Sequence, residues 1–111
     1  MPSYKVSRVA EDIKRELTDI MRDLKDPRIK GMLSIVKVDV TNDYSLAKVY
    51  VSAMEGFDTA KESVKGLNSA AGYVRRELGS RLQLRKTPEI KFIADNSIEH
   101  GMDIARILKN I

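Results

Sequence analysis

The sequence predicts an α+β fold with helices packed on one face of a three-stranded sheet. Three observations carry that expectation. Apolar residues recur at three- and four-residue spacing over the first two dozen positions. Two runs rich in valine and isoleucine follow, separated by turn-forming residues. A second helical pattern then continues through a cluster of small residues and ends before a third short apolar run. With 111 residues, 42% of them apolar, the chain is long enough for one core, and a single domain over 1–111 is expected.

The first helix is marked by Val6, Val9, Ala10, Ile13, Leu17, Ile20, Met21 and Leu24, the stripe of an amphipathic helix. Asp26-Pro27 closes it, because the residue before proline is pushed out of the α region. Its charges mix signs at helical spacings, as on a solvated and locally paired face. Leu33 to Val40 and Leu46 to Ala53 read as strands joined by the turn Thr41-Asn42-Asp43-Tyr44. One face is expected to carry Val36, Val38, Val40, Ala47, Val49 and Val51. The other carries Lys37, Asp39, Lys48, Tyr50 and Ser52.

Asp58-Thr59 is expected to open the next helix, with Thr59 and Glu62 at capping-box spacing. Ala60, Val64, Leu67, Ala71, Val74, Leu78 and Leu82 hold a helical period across Gly72. A glycine there weakens a helix by about 1 kcal/mol relative to alanine without ending it. A kinked helix, or two helices meeting at Ala70-Ala71-Gly72, is therefore expected, with Gly72 a candidate for dihedrals closed to other residues. Ile90 and Phe92 mark the third strand. Ser97 is placed as the N-cap of a last helix carrying Ile98, Met102, Ala105 and Leu108.

Charge is distributed unevenly. The formal net charge is +4, and residues 75–91 hold 6 basic against 2 acidic side chains, while residues 1–74 hold 12 against 11. Local excess of this kind steers a polyanion more than net charge does. The basic run Arg75, Arg76, Arg81, Arg85 and Lys86, beside the small residues Ala70, Ala71 and Gly72, is the candidate RNA-contacting segment. Lys37, Lys48 and Tyr50 are weaker candidates on the polar sheet face. A solvated helix face accounts for the basic run as well, and close helix packing for the small cluster.

Other chemistries find little support. There is no cysteine, so neither a disulfide framework nor a thiolate site is expected. His100 is the single histidine, placed near the start of the last helix. No phosphate-loop signature or metal-ligand spacing occurs, and the carboxylates are scattered. A non-enzyme without cofactor, metal or small-molecule substrate is expected. No signal region or membrane-length apolar run is seen, which fits a soluble cytoplasmic monomer.

The order helix, strand, strand, two helices, strand is that of a type II KH domain, here with a further C-terminal helix. KH domains clamp nucleic-acid backbone with a GxxG loop. Glycines lie at 31, 56, 66, 72, 79 and 101, no two of them three apart, so that loop is absent and Ala70-Ala71-Gly72 stands in its place.

The chain resembles the bacterial ribosome-binding factor A family. The resemblance rests on Leu24-Lys25-Asp26-Pro27-Arg28, Ala47-Lys48-Val49-Tyr50-Val51-Ser52, Ala70-Ala71-Gly72-Tyr73-Val74-Arg75, residues 81–90, and Asp95-Asn96-Ser97-Ile98 with Gly101. It implies a KH-like factor with an Ala-x-Gly interhelical kink, binding the small (30S) ribosomal subunit and 16S rRNA during assembly. Assistance to 16S rRNA 5′-end maturation, needed most in the cold, is also implied, as is the absence of catalytic residues. Some family members carry a longer C-terminal tail, whose role is not carried over. Without the resemblance, a small protein-interaction or oligomerisation module stays equally open, since fold alone does not give function.

Overall fold

The computed structural model describes residues 4–96, with side chains from residue 6 onward. The expected last helix, with Ser97, His100 and its apolar positions, lies outside the described residues. The elements are α1 (Tyr4–Asp23), β1 (Leu33–Val40), β2 (Leu46–Ala53), α2 (Phe57–Ser69), α3 (Ala71–Leu82) and β3 (Glu89–Ala94). This is the αββααβ order expected.

The sheet runs β1-β2-β3, with β1 antiparallel and β3 parallel to the central β2. A parallel neighbour requires a crossover, and α2 and α3 supply it. The stripe of α1 is buried through Val6, Ile13, Leu17 and Ile20, while Val9, Ala10, Met21 and Leu24 pack at its margin. These meet Ala47, Val49 and Val51 of β2, Leu67 of α2, Val74 and Leu78 of α3, and Ile90 and Phe92 of β3. Side chains alternate along a strand, so the outward row of β2 and β3 is Lys48, Tyr50, Lys91 and Ile93.

Two sheet positions differ from the expected alternation. Ile35 pairs with Val51 but Lys37 pairs with Tyr50, so Val36 is the extra residue of a β-bulge. The inward row is therefore Leu33, Ile35, Val38 and Val40, and Val36 is 42% exposed. Ser52 lies on the outward row yet is buried, and among the described residues its hydroxyl has no hydrogen-bond partner.

The turn after β1 is built as its residues suggest. Asp43 Oδ1 accepts from Thr41 Oγ1 (2.8 Å), Ser45 Oγ (2.7 Å) and the Ser45 amide (3.1 Å), and Tyr44 takes φ 59°. Those donors hold the Asp43 carboxyl down at about 2, the Ser45 hydroxyl contributing most.

The start of α2 differs from expectation. Gly56, at φ 121°, is its N-cap, and no side chain caps the helix. Thr59 falls inside the first turn, so its spacing to Glu62 closes no capping box. At the other end, Asn68 does for β3 what another strand would do. Its amide nitrogen donates to the Phe92 carbonyl (3.0 Å), and its amide oxygen accepts from the Phe92 N–H (2.9 Å). An edge strand is thereby tied to the crossover helix at its middle residue.

Candidate nucleic-acid interface

The two crossover helices meet at a single residue. Ala70 has φ −95° and ψ 6°, outside the helical well, and serves as the C-cap of α2 and the N-cap of α3. Its N–H bonds back to Gly66 and Leu67 carbonyls at 3.2 and 3.1 Å, and its own carbonyl accepts the Val74 N–H at 2.9 Å. No side chain caps α3. The first-turn N–H groups of a helix have no partner within that helix, and they carry the positive end of its dipole.

Small residues at this junction leave it open rather than tightly packed. A β-carbon built on Gly72 would meet nothing within 4 Å, Gly72 is exposed and Ala71 is half-buried. The expectation that Gly72 needs unusual dihedrals is not met, since the positive-φ glycines among the described residues are Gly31 and Gly56. Gly66, one turn before the junction, is by contrast tightly packed. Its β-carbon would lie 2.8 Å from Ile29 Cγ1, 3.2 Å from Asp26 Cγ and 3.3 Å from Arg28 Cβ.

That contact marks a strap between α1 and β1 that holds α2. The Arg28 guanidinium grips Asp26 through two bonds, Nε to Oδ1 (3.1 Å) and Nη2 to Oδ2 (2.7 Å). The same Nη2 reaches Ser69 Oγ (3.0 Å), the last residue of α2. Lys30 is held alongside, its N–H and C=O both bonded to the buried Ser63 hydroxyl. Hydrogen bonds from Arg28, first the side chain and then the backbone N–H, hold the Asp26 carboxyl down at about 2. Arg28, its charge paired with Asp26, thus ties the end of α2 to the strap across 41 residues of chain. Sequence reading includes it in a family motif but not in the site, and no local pattern shows that link.

The basic run divides. Gly72, Arg75, Arg76 and Gly79 stand at i, i+3, i+4 and i+7, on one face of α3. Arg75 donates from Nε (3.2 Å) and Nη2 (2.9 Å) to the Thr87 carbonyl. This folds the loop before β3 back on α3 and fixes the guanidinium plane. Gly79 permits the approach, since a β-carbon there would be 2.7 Å from Thr87 Oγ1. Gln83, at φ 50°, turns the chain at the end of α3. Arg75, Arg76, Gly79, Ser80, Leu84 and Thr87 line an open groove of about 440 Å³.

Arg81 lies elsewhere. It projects toward α1 and pairs with Glu16 at 3.4 Å. Arg85 and Lys86 are exposed on the loop, and the Lys86 charge reaches Asp43 in the β1–β2 turn. Glu77 accepts the Tyr73 hydroxyl at 3.1 Å, and this bond raises the Tyr73 phenol. On the opposite face of the sheet, Lys37 lies over the Tyr50 ring, 5.8 Å from its centroid. Among the described residues, no helix is long and apolar enough to cross a membrane.

Fold and site together define a KH-type α+β module whose interhelical junction is open and flanked by arginines. The sequence model of the family described as ribosome-binding factor A matches residues 5–108, and this chain belongs to that family. The ribosome-binding factor A of Clostridium tetani is 49% identical over 112 residues, covering all of this chain and 93% of its own. That of Acetivibrio thermocellus is 50% identical over 105 residues, covering 94% and 85%. Among solved structures, a Thermotoga maritima protein described as a putative ribosome binding factor A is similar at TM-score 0.73 and 32% identity, over 84% of this chain and 89% of that one. A homology model of the Thermus thermophilus factor, fitted into the cryo-EM map of a complex with 30S, is similar at TM-score 0.62 and 27% identity, over 76% and 88%.

Proposed function

We propose that this chain is an assembly factor of the small ribosomal subunit that acts as one KH-like domain and binds 16S rRNA through the α2–α3 junction. The carrying observation is the juxtaposition of an open Gly72 with Arg75 and Arg76 on one face of α3. RNA backbone would approach at Ala70, Ala71 and Gly72, where side chains are smallest. Phosphates would be held by Arg75 and Arg76, with Arg85 and Lys86 extending the track along the loop. Arg81 contributes least, because Glu16 already neutralises it. A Thermus relative fitted to a 30S map supports the same partner for this chain. The finer role is assistance to 5′-end maturation of 16S rRNA, needed most in the cold, by a cytoplasmic monomer that performs no chemistry itself.

Co-sedimentation with small subunits tests the binding. Wild-type protein should pellet with them at low salt and be released as salt rises, and Arg75→Gln with Arg76→Gln should weaken the association. Cells lacking the protein should accumulate 5′-extended 16S rRNA when grown cold. Undiminished pelleting of a folded double variant would set the assignment aside. A protein-interaction module is the second reading, favoured by Met32 and Met54, 71% and 72% exposed beside the buried Ser52.

A further inference from the structure

Tyr73 has no role in the reading above, and its placement is unusual. It follows Gly72 directly on α3, yet it points away from the core and is 45% exposed, when Tyr44, Tyr50 and Phe57 are half-buried and Phe92 is buried. Two of those rings are already engaged. Phe57 has the Lys61 ammonium 5.0 Å from its centroid, and Tyr50 has Lys37. The Tyr73 ring is held at its far end instead, by the hydroxyl's bond to Glu77 one turn on. A ring fixed at its hydroxyl and 45% exposed is preorganised for contact, because little rotamer freedom remains to be lost on binding.

Its surroundings indicate what that contact is. Arg76 is its i+3 neighbour on the helix surface, and Gly72 beside it leaves space where a side chain would crowd an approaching strand. The carboxylates that act on the phenol are Glu77 and, more weakly, Asp23 of α1, with Arg81 opposing them. Phosphate is repelled from that end and attracted to the Arg75–Arg76 side. A nucleotide meeting both sides would set its phosphate on Arg76 and its neutral base on the ring. In a duplex the base faces are covered by stacking, and only an unpaired base offers one to a side chain.

We infer that Tyr73 is a stacking platform for an unpaired base, so that the junction takes single-stranded rather than duplex RNA. This rests on the RNA-binding reading of Arg75 and Arg76. The ring supplies the stacking face, Arg76 holds the adjoining phosphate, Arg75 takes a phosphate further along the strand, and the Glu77 carboxylate fixes the ring.

The chain contains no tryptophan, so Tyr73→Trp introduces a sole indole reporter. Its emission should be quenched by a short unpaired oligoribonucleotide and not by the same sequence in a duplex. Tyr50→Trp, on the opposite sheet face, should not respond to either. Tyr73→Ala should keep the wild-type melting temperature and lose about 5- to 150-fold in single-strand affinity, the usual range for one stacked base, while Tyr73→Phe keeps most of it. Equal quenching by duplex, or undiminished single-strand binding by a folded Tyr73→Ala protein, would overturn the inference. So would a Tyr73→Ala protein that loses only its binding to whole subunits, since the ring would then be touching protein. Arg75→Gln with Arg76→Gln separates the two levels. If that pair weakens oligonucleotide binding and Tyr73→Ala does not, stacking alone fails; if neither does, the RNA reading beneath it fails too.

Discussion

Alanine at Gly72 separates what the junction needs for folding from what it needs for binding. In the folded chain a β-carbon there would have no neighbour within 4 Å, and Gly72 lies in the first turn of α3 with an ordinary negative φ. No steric cost is therefore expected. The gain from removing a flexible glycine is at most about 1 kcal/mol, and less than that in a first turn. For a domain of this size that corresponds to a melting temperature unchanged or raised by no more than roughly 4–8 °C. The added methyl nonetheless stands where RNA backbone would come closest, so affinity for small subunits should fall. Calorimetry and co-sedimentation on the same preparation give both numbers. A melting temperature lowered by several degrees would refute the openness of the junction. Unchanged affinity in a fully stable variant would refute the close approach.

Other substitutions test the supporting structure. Gly66→Ala should do the reverse of Gly72→Ala, because its methyl meets Ile29 at 2.8 Å. Overpacking of about 1–3 kcal/mol outweighs a helix gain of about 1 kcal/mol, so a lowered melting temperature is expected. Asn68→Ala removes both bonds to Phe92 and should cost about 1–3 kcal/mol, with faster amide exchange at the β3 edge. Asp26, with its carboxyl held at about 2 against the usual 3.8, stabilises the fold above pH 4. That contribution is lost as pH falls from about 4 toward 2, since the unfolded chain takes up the proton first. Asp26→Asn should accordingly melt lower than wild type at neutral pH, and the gap should close in acid melts.

Much of the fold is legible because its patterns are local. The α1 stripe, the Thr41–Tyr44 turn and the helical period carried across Gly72 each follow from spacing within a few residues. The bulge escapes such reading because Val36 is as β-prone and apolar as its neighbours. Only pairing with β2 shows which valine is pushed out. Ser52 misleads for a related reason, since alternation gives the face a residue points to and not what covers it. The Thr59–Glu62 spacing fits a capping box, but Gly56 starts the helix two residues sooner than Asp58.

The candidate site is legible in its helical part. Gly72, Arg75 and Arg76 share a face by spacing alone, and the same spacing, followed six residues past Arg75, carries Arg81 round to the α1 side. A basic run in sequence is therefore not one patch in space. Arg28 on Ser69 and Arg75 on Thr87 are tertiary bonds, which composition cannot show. Tyr73 stands in the sequence only within the family motif, because a single exposed aromatic is ordinary; its exposure and its bond to Glu77 are seen in the structure.

The most direct measurement is the salt dependence of binding to small subunits, for wild type and for the Arg75→Gln/Arg76→Gln double variant. If both guanidiniums hold phosphate, the variant binds more weakly, and the slope of log affinity against log salt falls by about 2, roughly one for each lost contact. A folded double variant with the wild-type affinity and slope would contradict the assignment of this face to RNA.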